Sequence, residues 1–171
     1  MALCPLGPEH LAKAQEWINQ EEVRQYLHNV VPIGELQEKK WLERLAEAKD
    51  EFCFAVHLKA GGEHVGNCGL HRVDWVNRAA EYGIVIGEPN AQNKGYGTEV
   101  TKLVLRYAFE QLNLNRVQLR VYEYNARAVK CYEKAGYRLE GRLRQARFWR
   151  GRYWEVLLMA VLREEFPGRG V

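Results

Sequence analysis

Gln92-Asn93-Lys94-Gly95-Tyr96-Gly97-Thr98 stands between an apolar run, Tyr82-Gly83-Ile84-Val85-Ile86, and a segment with strong helical periodicity. The first turn of a helix leaves its N–H groups without intrahelical partners, and the macrodipole puts roughly half a positive charge there. Gly95 and Gly97 let the backbone approach a ligand without Cβ obstruction, so several N–H groups can converge on one pyrophosphate while Lys94 adds a full charge. Two commoner glycine loops fail on spacing. A dinucleotide fingerprint needs a third small residue where Val100 stands, and a P-loop needs Gly-Lys-Ser/Thr where the order here is Lys-Gly-Tyr. The loop therefore predicts a phosphorylated cofactor of another kind, with a plain glycine-rich helix cap as the alternative.

About thirty residues further on, Asn125-Ala126-Arg127-Ala128-Val129-Lys130-Cys131-Tyr132-Glu133-Lys134-Ala135-Gly136-Tyr137 follows the pattern Asn-x-x-(Ala/Ser)-x-x-x-Tyr-x-x-x-Gly-(Phe/Tyr). Together with a (Gln/Arg)-x-x-Gly-x-(Gly/Ala) loop beginning at Gln92, in this order, it resembles the GNAT acetyltransferase superfamily. Glu140-Gly141-Arg142-Leu143-Arg144 and the Gly151-x-Tyr153 hairpin are similar to the branch containing ribosomal-protein N-terminal acetyltransferases and spermidine acetyltransferases. The resemblance is weaker before Glu81. It implies acetyl-CoA as cosubstrate, held by Gln92, Asn93, Lys94, Gly95, Tyr96, Gly97 and Thr98, by the backbone of Ile84, Val85 and Ile86, and by Asn125 and Ala128. It also implies the GNAT fold: an α/β (α+β) mixed sheet, mostly antiparallel, with one parallel splayed strand pair and helices on both faces.

The 171 residues suit one domain, 1–171, able to bury about two-thirds of its unfolded surface without disulfides or metal. Cys4, Cys53, Cys68 and Cys131 are far apart and form no Cys-x-x-Cys pair, so they read as thiols of a reducing cytoplasm. No signal-like leader or apolar run of about 18 residues stands out, which argues against secretion and membrane spanning. A net charge of +3 is too small to argue nucleic-acid binding. Its distribution is uneven: Glu21, Glu22, Glu35, Glu38, Glu43 and Glu47 weight the first third, and Arg138, Arg142, Arg144, Arg147, Arg150 and Arg152 the last. Two solvated faces explain this; so does an acidic end that favours a cationic amine and a basic end that meets phosphate or a polyanion.

Periodicity predicts helices over Glu9–Asn19, Glu21–Leu27 and Leu36–Lys49, then strands over Phe52–Leu58, His64–Val73 and Ala79–Gly87 as an antiparallel meander. The helix after the glycine loop places Val100, Leu103, Val104, Tyr107, Ala108 and Leu112 on one apolar face. A strand over Asn115–Tyr122 returns parallel through a crossover. Asn125 caps the next helix, Gly136 closes it, and strands over Tyr137–Trp149 and Tyr153–Leu162 meet at a Gly151 turn.

Acetyl transfer to an amine needs a neutral nitrogen, a positioned carbonyl, an oxyanion partner and a proton for the leaving thiolate. A peptide α-amine, with pKa about 7.7–8.0, is partly neutral at pH 7, whereas a polyamine nitrogen near about 10.4 needs a base. Glu81, at the start of the strand feeding the loop, is the candidate base, with Glu123 and Glu140 in reserve. The resemblance implies that Tyr132 is the general acid and that backbone near Ile84–Ile86 holds the carbonyl. Cys131 has no neighbour fixed as a base, so direct attack in a ternary complex is preferred to an acyl-enzyme. His10, His28, His57, His64 and His71 are scattered, and a strand–turn–strand stretch is not expected to gather them, so no metal is assigned. The acceptor expected is a peptide or protein N-terminal α-amine, with a polyamine or another small amine as alternatives. A non-catalytic acetyl-CoA-binding module, ribosome or RNA association through the final arginines, and a homodimer through Trp149, Tyr153 and Trp154 also stay open.

Overall fold

The computed structural model describes residues 1–29 and 31–166; the last residues of the expected 1–171 domain lie outside them. In chain order the elements are β1 (Ala2–Pro5), α1 (Leu11–Asn19), α2 (Glu21–Arg24), α3 (Glu35–Glu47), β2 (Phe52–His57), β3 (His64–Asp74), β4 (Ala79–Ile86), α4 (Tyr96–Arg106), β5 (Arg116–Tyr122), α5 (Ala126–Ala135), β6 (Arg138–Trp149) and β7 (Arg152–Leu162). The strands form one sheet in the order β1-β2-β3-β4-β5-β7-β6. Every neighbouring pair is antiparallel except β4 and β5. A mostly antiparallel sheet with one parallel pair is the mixed architecture expected from the sequence.

Two features escape the periodicity. β1 carries no alternation in four residues ending at Pro5, yet it pairs with β2 from Ala2 opposite His57 to Pro5 opposite Phe54. The helix after the glycine loop passes from α4 into a π-helical turn over Tyr107–Gln111. Its fully buried side chains include Val100, Thr101, Val104, Leu105, Ala108 and Phe109. Leu103, Tyr107 and Leu112 are only half-buried against the core. The contact face is thus rotated from the expected stripe toward Leu105 and Phe109, because the helix lies on a broad sheet and meets it along neighbouring rather than single rows.

The hairpin register overturns the expectation that the histidines stay apart. His57 stands opposite His64 across β2 and β3, because the chain turns back between them. Their rings stack at 5.3 Å, and His10 Nε2 lies 3.2 Å from His57 Nε2. Gly7 N–H donates to His10 Nδ1 and His57 Nδ1 donates to Gly62 O, so His10 Nε2–H donates to His57. Burial holds His64 below the usual imidazole range. On the last hairpin Tyr153 is exposed as expected, but Trp149 and Trp154 are half-buried. The Arg152 guanidinium lies 3.3 Å from the Trp154 ring centroid.

Trp17 of α1 is 2% exposed and fixes that helix against the end of β4. The contact is possible because residue 87 lacks a side chain: a Cβ there would fall 2.1 Å from the indole. Gly87→Ala is therefore expected to destabilise the protein by about 1–3 kcal/mol through overpacking, measured as a fall in the urea midpoint at unchanged m-value.

Candidate active site

β4 and β5 are paired only from Ala79 opposite Arg116 to Glu81 opposite Gln118. Beyond that point β4 stays on β3 as far as Ile86, and β5 stays on β7 as far as Tyr122. The two strands part, and a cavity of about 1250 Å³ opens between and around them. Gly87 N–H bonds to Val65 O, and Gly66 stands opposite Ile86. Antiparallel alternation then directs the backbone groups of Gly83 and Val85 to β3, and those of Tyr82, Ile84 and Ile86 into the opening. The Gln92 side-chain amide donates to Ile86 O at 3.1 Å, consistent with that direction. Of the three residues proposed from the sequence, Ile84 and Ile86 face the gap, and Val85 spends its backbone on the ladder.

The glycine loop sits at one end of the opening. Asn93 and Gly95 have φ of +59° and +81°, so the chain curls before α4 begins. A Cβ at Gly95 would meet nothing within 4 Å; the glycine faces open space. Glu99 N–H makes the first bond back to Gly95 O. Among the described residues, the N–H groups of Tyr96, Gly97 and Thr98 have no backbone acceptor. Thr101, fully buried, donates to Gly97 O at 2.7 Å and receives the Tyr82 hydroxyl at 3.1 Å. This relay ties the loop to the strand at the split.

α5 forms the neighbouring wall. The Asn125 side chain accepts from Ala128 N–H at 3.2 Å, the expected cap, and Arg127 reaches Gln92 Oε1 at 2.7 Å. Tyr132 is 8% exposed and lines the cavity. Its hydroxyl makes no hydrogen bond among the described residues, and burial pushes it well above the usual phenol range. A phenol so placed is neutral at physiological pH and can donate a proton. Tyr82 and Tyr137 pack around it, with centroids 6.3 and 5.8 Å away. The Tyr137 hydroxyl is buried without a partner.

The three candidate bases fare differently. Glu81 lines the cavity, and Arg72 forms an ion pair with it. Glu123 accepts from Glu155 N–H at 2.8 Å. Glu140 is held by Arg116 at 2.7 Å, which keeps its carboxyl below the usual range. Glu81 alone of the three reaches the cavity.

One buried cation was not anticipated as a site residue. Arg147 is 6% exposed and lies over the Tyr122 and Trp149 rings at 4.7 and 5.4 Å. Its Nε and one Nη have no partner, although it borders the cavity. The sequence signal was one arginine in a run of six. Arg138, Arg142 and Arg150 instead pair with Glu165, Glu155 and Glu21, which removes much of the basic face that a polyanion would need.

The Acetyltransferase (GNAT) domain family matches residues 1–138, and the chain belongs to it. Among curated relatives, the spermidine N(1)-acetyltransferase of Vibrio cholerae is 34% identical over 142 residues, covering 75% of this chain and 82% of the relative. Among solved structures, the spermidine N-acetyltransferase of Vibrio cholerae in complex with CoA and spermine superposes with a TM-score of 0.87, at 28% identity over 96% of both chains. A dodecameric structure of the Vibrio cholerae enzyme gives 0.83 at 26% identity, over 99% of this chain and 98% of that one.

The protein is thus an acetyl-CoA-dependent N-acetyltransferase. The residues present suit that cosubstrate: a helix N-terminus with three free N–H groups, open space at Gly95, and a strand edge with unspent backbone groups. Bound there, acetyl-CoA supplies an acyl group activated as a thioester. Gly95→Ala forces a residue with a Cβ into a left-handed conformation and fills that space. The expected result is about tenfold weaker acetyl-CoA binding by calorimetry, with a strain cost of about 1–2 kcal/mol.

Proposed function

We propose that the acceptor is a polyamine of the spermidine type. The observation that carries this reading is the match, over nearly the whole of both chains, to an acetyltransferase solved with CoA and spermine. Two carboxylates on this chain's cavity, Glu22 and Glu81, suit a cationic amine. This departs from the peptide α-amine favoured by sequence alone. That reading keeps one specific support: the unpartnered donors of Arg147 suit an acceptor that brings a carbonyl or carboxylate along with its amine, as a peptide N-terminus does.

In the proposed arrangement the first turn of α4 and the Gln92–Thr98 loop hold the pyrophosphate, and Ile84 and Ile86 offer backbone groups to the pantetheine and acyl carbonyl. Tyr132 donates a proton to the departing thiolate. A thiol pKa near about 8.5 makes this a moderate effect. The four free thiols support a reducing cytoplasm. Among the described residues no helix is long and apolar enough to cross a membrane. Self-association is part of the proposal: Phe148 and Tyr153, with ring centroids 5.1 Å apart and both exposed, offer an apolar contact on the last hairpin.

Free-thiol release from acetyl-CoA is the test, with spermidine, spermine, α-amino peptides and lysine-bearing peptides as acceptors. Turnover with the polyamines is expected; turnover with α-amino peptides alone would shift the assignment to the Arg147 reading. Tyr132→Phe is expected to lower kcat about 10²-fold while leaving acetyl-CoA affinity within twofold. Unchanged kcat would remove the acid role.

A further inference from the structure

We propose that His71, oriented by Glu51, is the proton acceptor for the attacking amine. This rests on the amine-acetylating reading above and adds residues to it. His71 and Glu81 stand opposite each other across β3 and β4, as do Gly69 and Gly83. Residues opposite each other share a face of the sheet, so His71, Gly69, Gly83 and Glu81 lie on one face. Tyr82 lies on the other, packed with Tyr132.

The imidazole occupies a depression that two glycines create. A Cβ at Gly69 would lie 3.2 Å from His71 Nε2, and one at Gly83 would lie 3.6 Å from it. Gly83 falls just past the last paired residue of β4, Glu81, so the ring rests at the mouth of the split. All four of these residues border the cavity. His71 Nδ1 lies 3.1 Å from Glu51 Oε2. An ionised carboxylate only accepts, so Nδ1 carries the proton and Nε2 keeps a free lone pair. Arg44 fixes the other oxygen of Glu51 at 2.5 Å, which leaves the carboxylate one orientation.

Glu81, the carboxylate expected to do this work, is engaged by Arg72. The charged and titratable groups around His71 are Glu51 and Arg44, Cys53 from β2, Arg72 from its own strand, and Glu81 from β4. Glu51, Cys53 and His71 have ligand atoms within 4.8 Å of one another. They make a poor metal site, because the Arg44 cation sits on the shared carboxylate and burial pushes the Cys53 thiol up to about 12.

In the step proposed, the neutral amine enters from the His71 face and its nitrogen bonds to the thioester carbonyl carbon. The nitrogen then gives a proton to His71 Nε2. The carbon–sulfur bond breaks, and the thiolate takes the Tyr132 hydroxyl proton from the opposite face. Water receives the proton of His71 and returns one to Tyr132, so charge and protons balance.

His71→Gln is expected to lower kcat with spermidine about 10²-fold near neutral pH, at unchanged acetyl-CoA affinity. The deficit should shrink at alkaline pH, where hydroxide can take the proton of the bonded nitrogen in place of the imidazole. Glu51→Gln, which keeps the shape and reaches the cavity only through His71, is expected to move the acidic limb of the kcat/KM profile to lower pH. A His71→Gln enzyme within twofold of the parent at neutral pH overturns the proposal. Should the parent itself be silent with spermidine, the acceptor reading is what fails; the tautomer of His71 in ¹⁵N-labelled protein then decides. The Nδ1–H form is expected, and an Nε2–H form would leave no lone pair facing the cavity and would overturn the assignment.

Discussion

The end of the β4–β5 ladder after Glu81 and Gln118 is the constraint on which the site depends. A regular parallel pair would consume the inward groups of Tyr82, Ile84 and Ile86 in strand bonds and leave no room for a linear ligand. The parting is maintained from both sides. β4 is committed to β3 through Gly66–Ile86, and β5 to β7 through Tyr122–Val156. On one face Tyr82, Tyr132 and Tyr137 fill the space beneath the split, with Tyr82 and Tyr137 stacked at 6.4 Å. The Tyr82–Thr101–Gly97 relay then fixes the glycine-loop end relative to the strand edge, so that the two ends of the elongated cavity keep their spacing.

Charge is partitioned along this opening by pairing more than by composition. Three of the six arginines of the last third, which in sequence suggest a basic face, are ion-paired: Arg138 and Arg142 with Glu165 and Glu155 of the same region, and Arg150 with the distant Glu21. What remains unpaired is therefore more informative than what is abundant. Arg147 is buried with donors unmet, and a cation in that state is costly unless a ligand completes it or the flanking Tyr122 and Trp149 rings suffice. Glu81, by contrast, already has a cation. A polyamine has to compete with Arg72 for that carboxylate, or displace it, before the charge complementarity read from the lining is realised.

The elements and the glycine loop at the start of α4 were legible because their signals are local. A glycine loop against a helix start, an Asn cap and a tyrosine seven residues later all lie within single segments, and the periodicities of β3, β4 and α5 follow from one-sided burial. The features that escaped depend on register. β1 is too short to alternate, and the run Tyr82–Ile86 reads the same whether or not a partner strand leaves it. His57 and His64 meet only because a hairpin folds back, and Glu51 meets His71 only because β2 and β3 align. One trace of the last contact was present: Gly69 and Gly83 are weak strand residues, and two such positions facing each other mark a place where something else must fit.

The state of the thiols bears on how the acetyl group crosses the cavity. A covalent relay would need a thiolate, and burial raises both Cys53 and Cys68, the latter the more strongly buried. Cys131 adjoins Tyr132, but among the described residues its sulfur has as sole hydrogen-bond partner the Thr98 hydroxyl at 3.4 Å, which donates to the sulfur and is no base. With no activated thiol among the described residues, the route we propose brings amine and thioester together at once. The cavity has room for that meeting, since it runs from the α4 loop through the split to Val23, Tyr26 and His28 near α2 as one continuous space. In the reading proposed above, acceptor and cosubstrate enter from different walls and react where β4 and β5 separate, so the geometry that admits the ligands also sets the direction of attack.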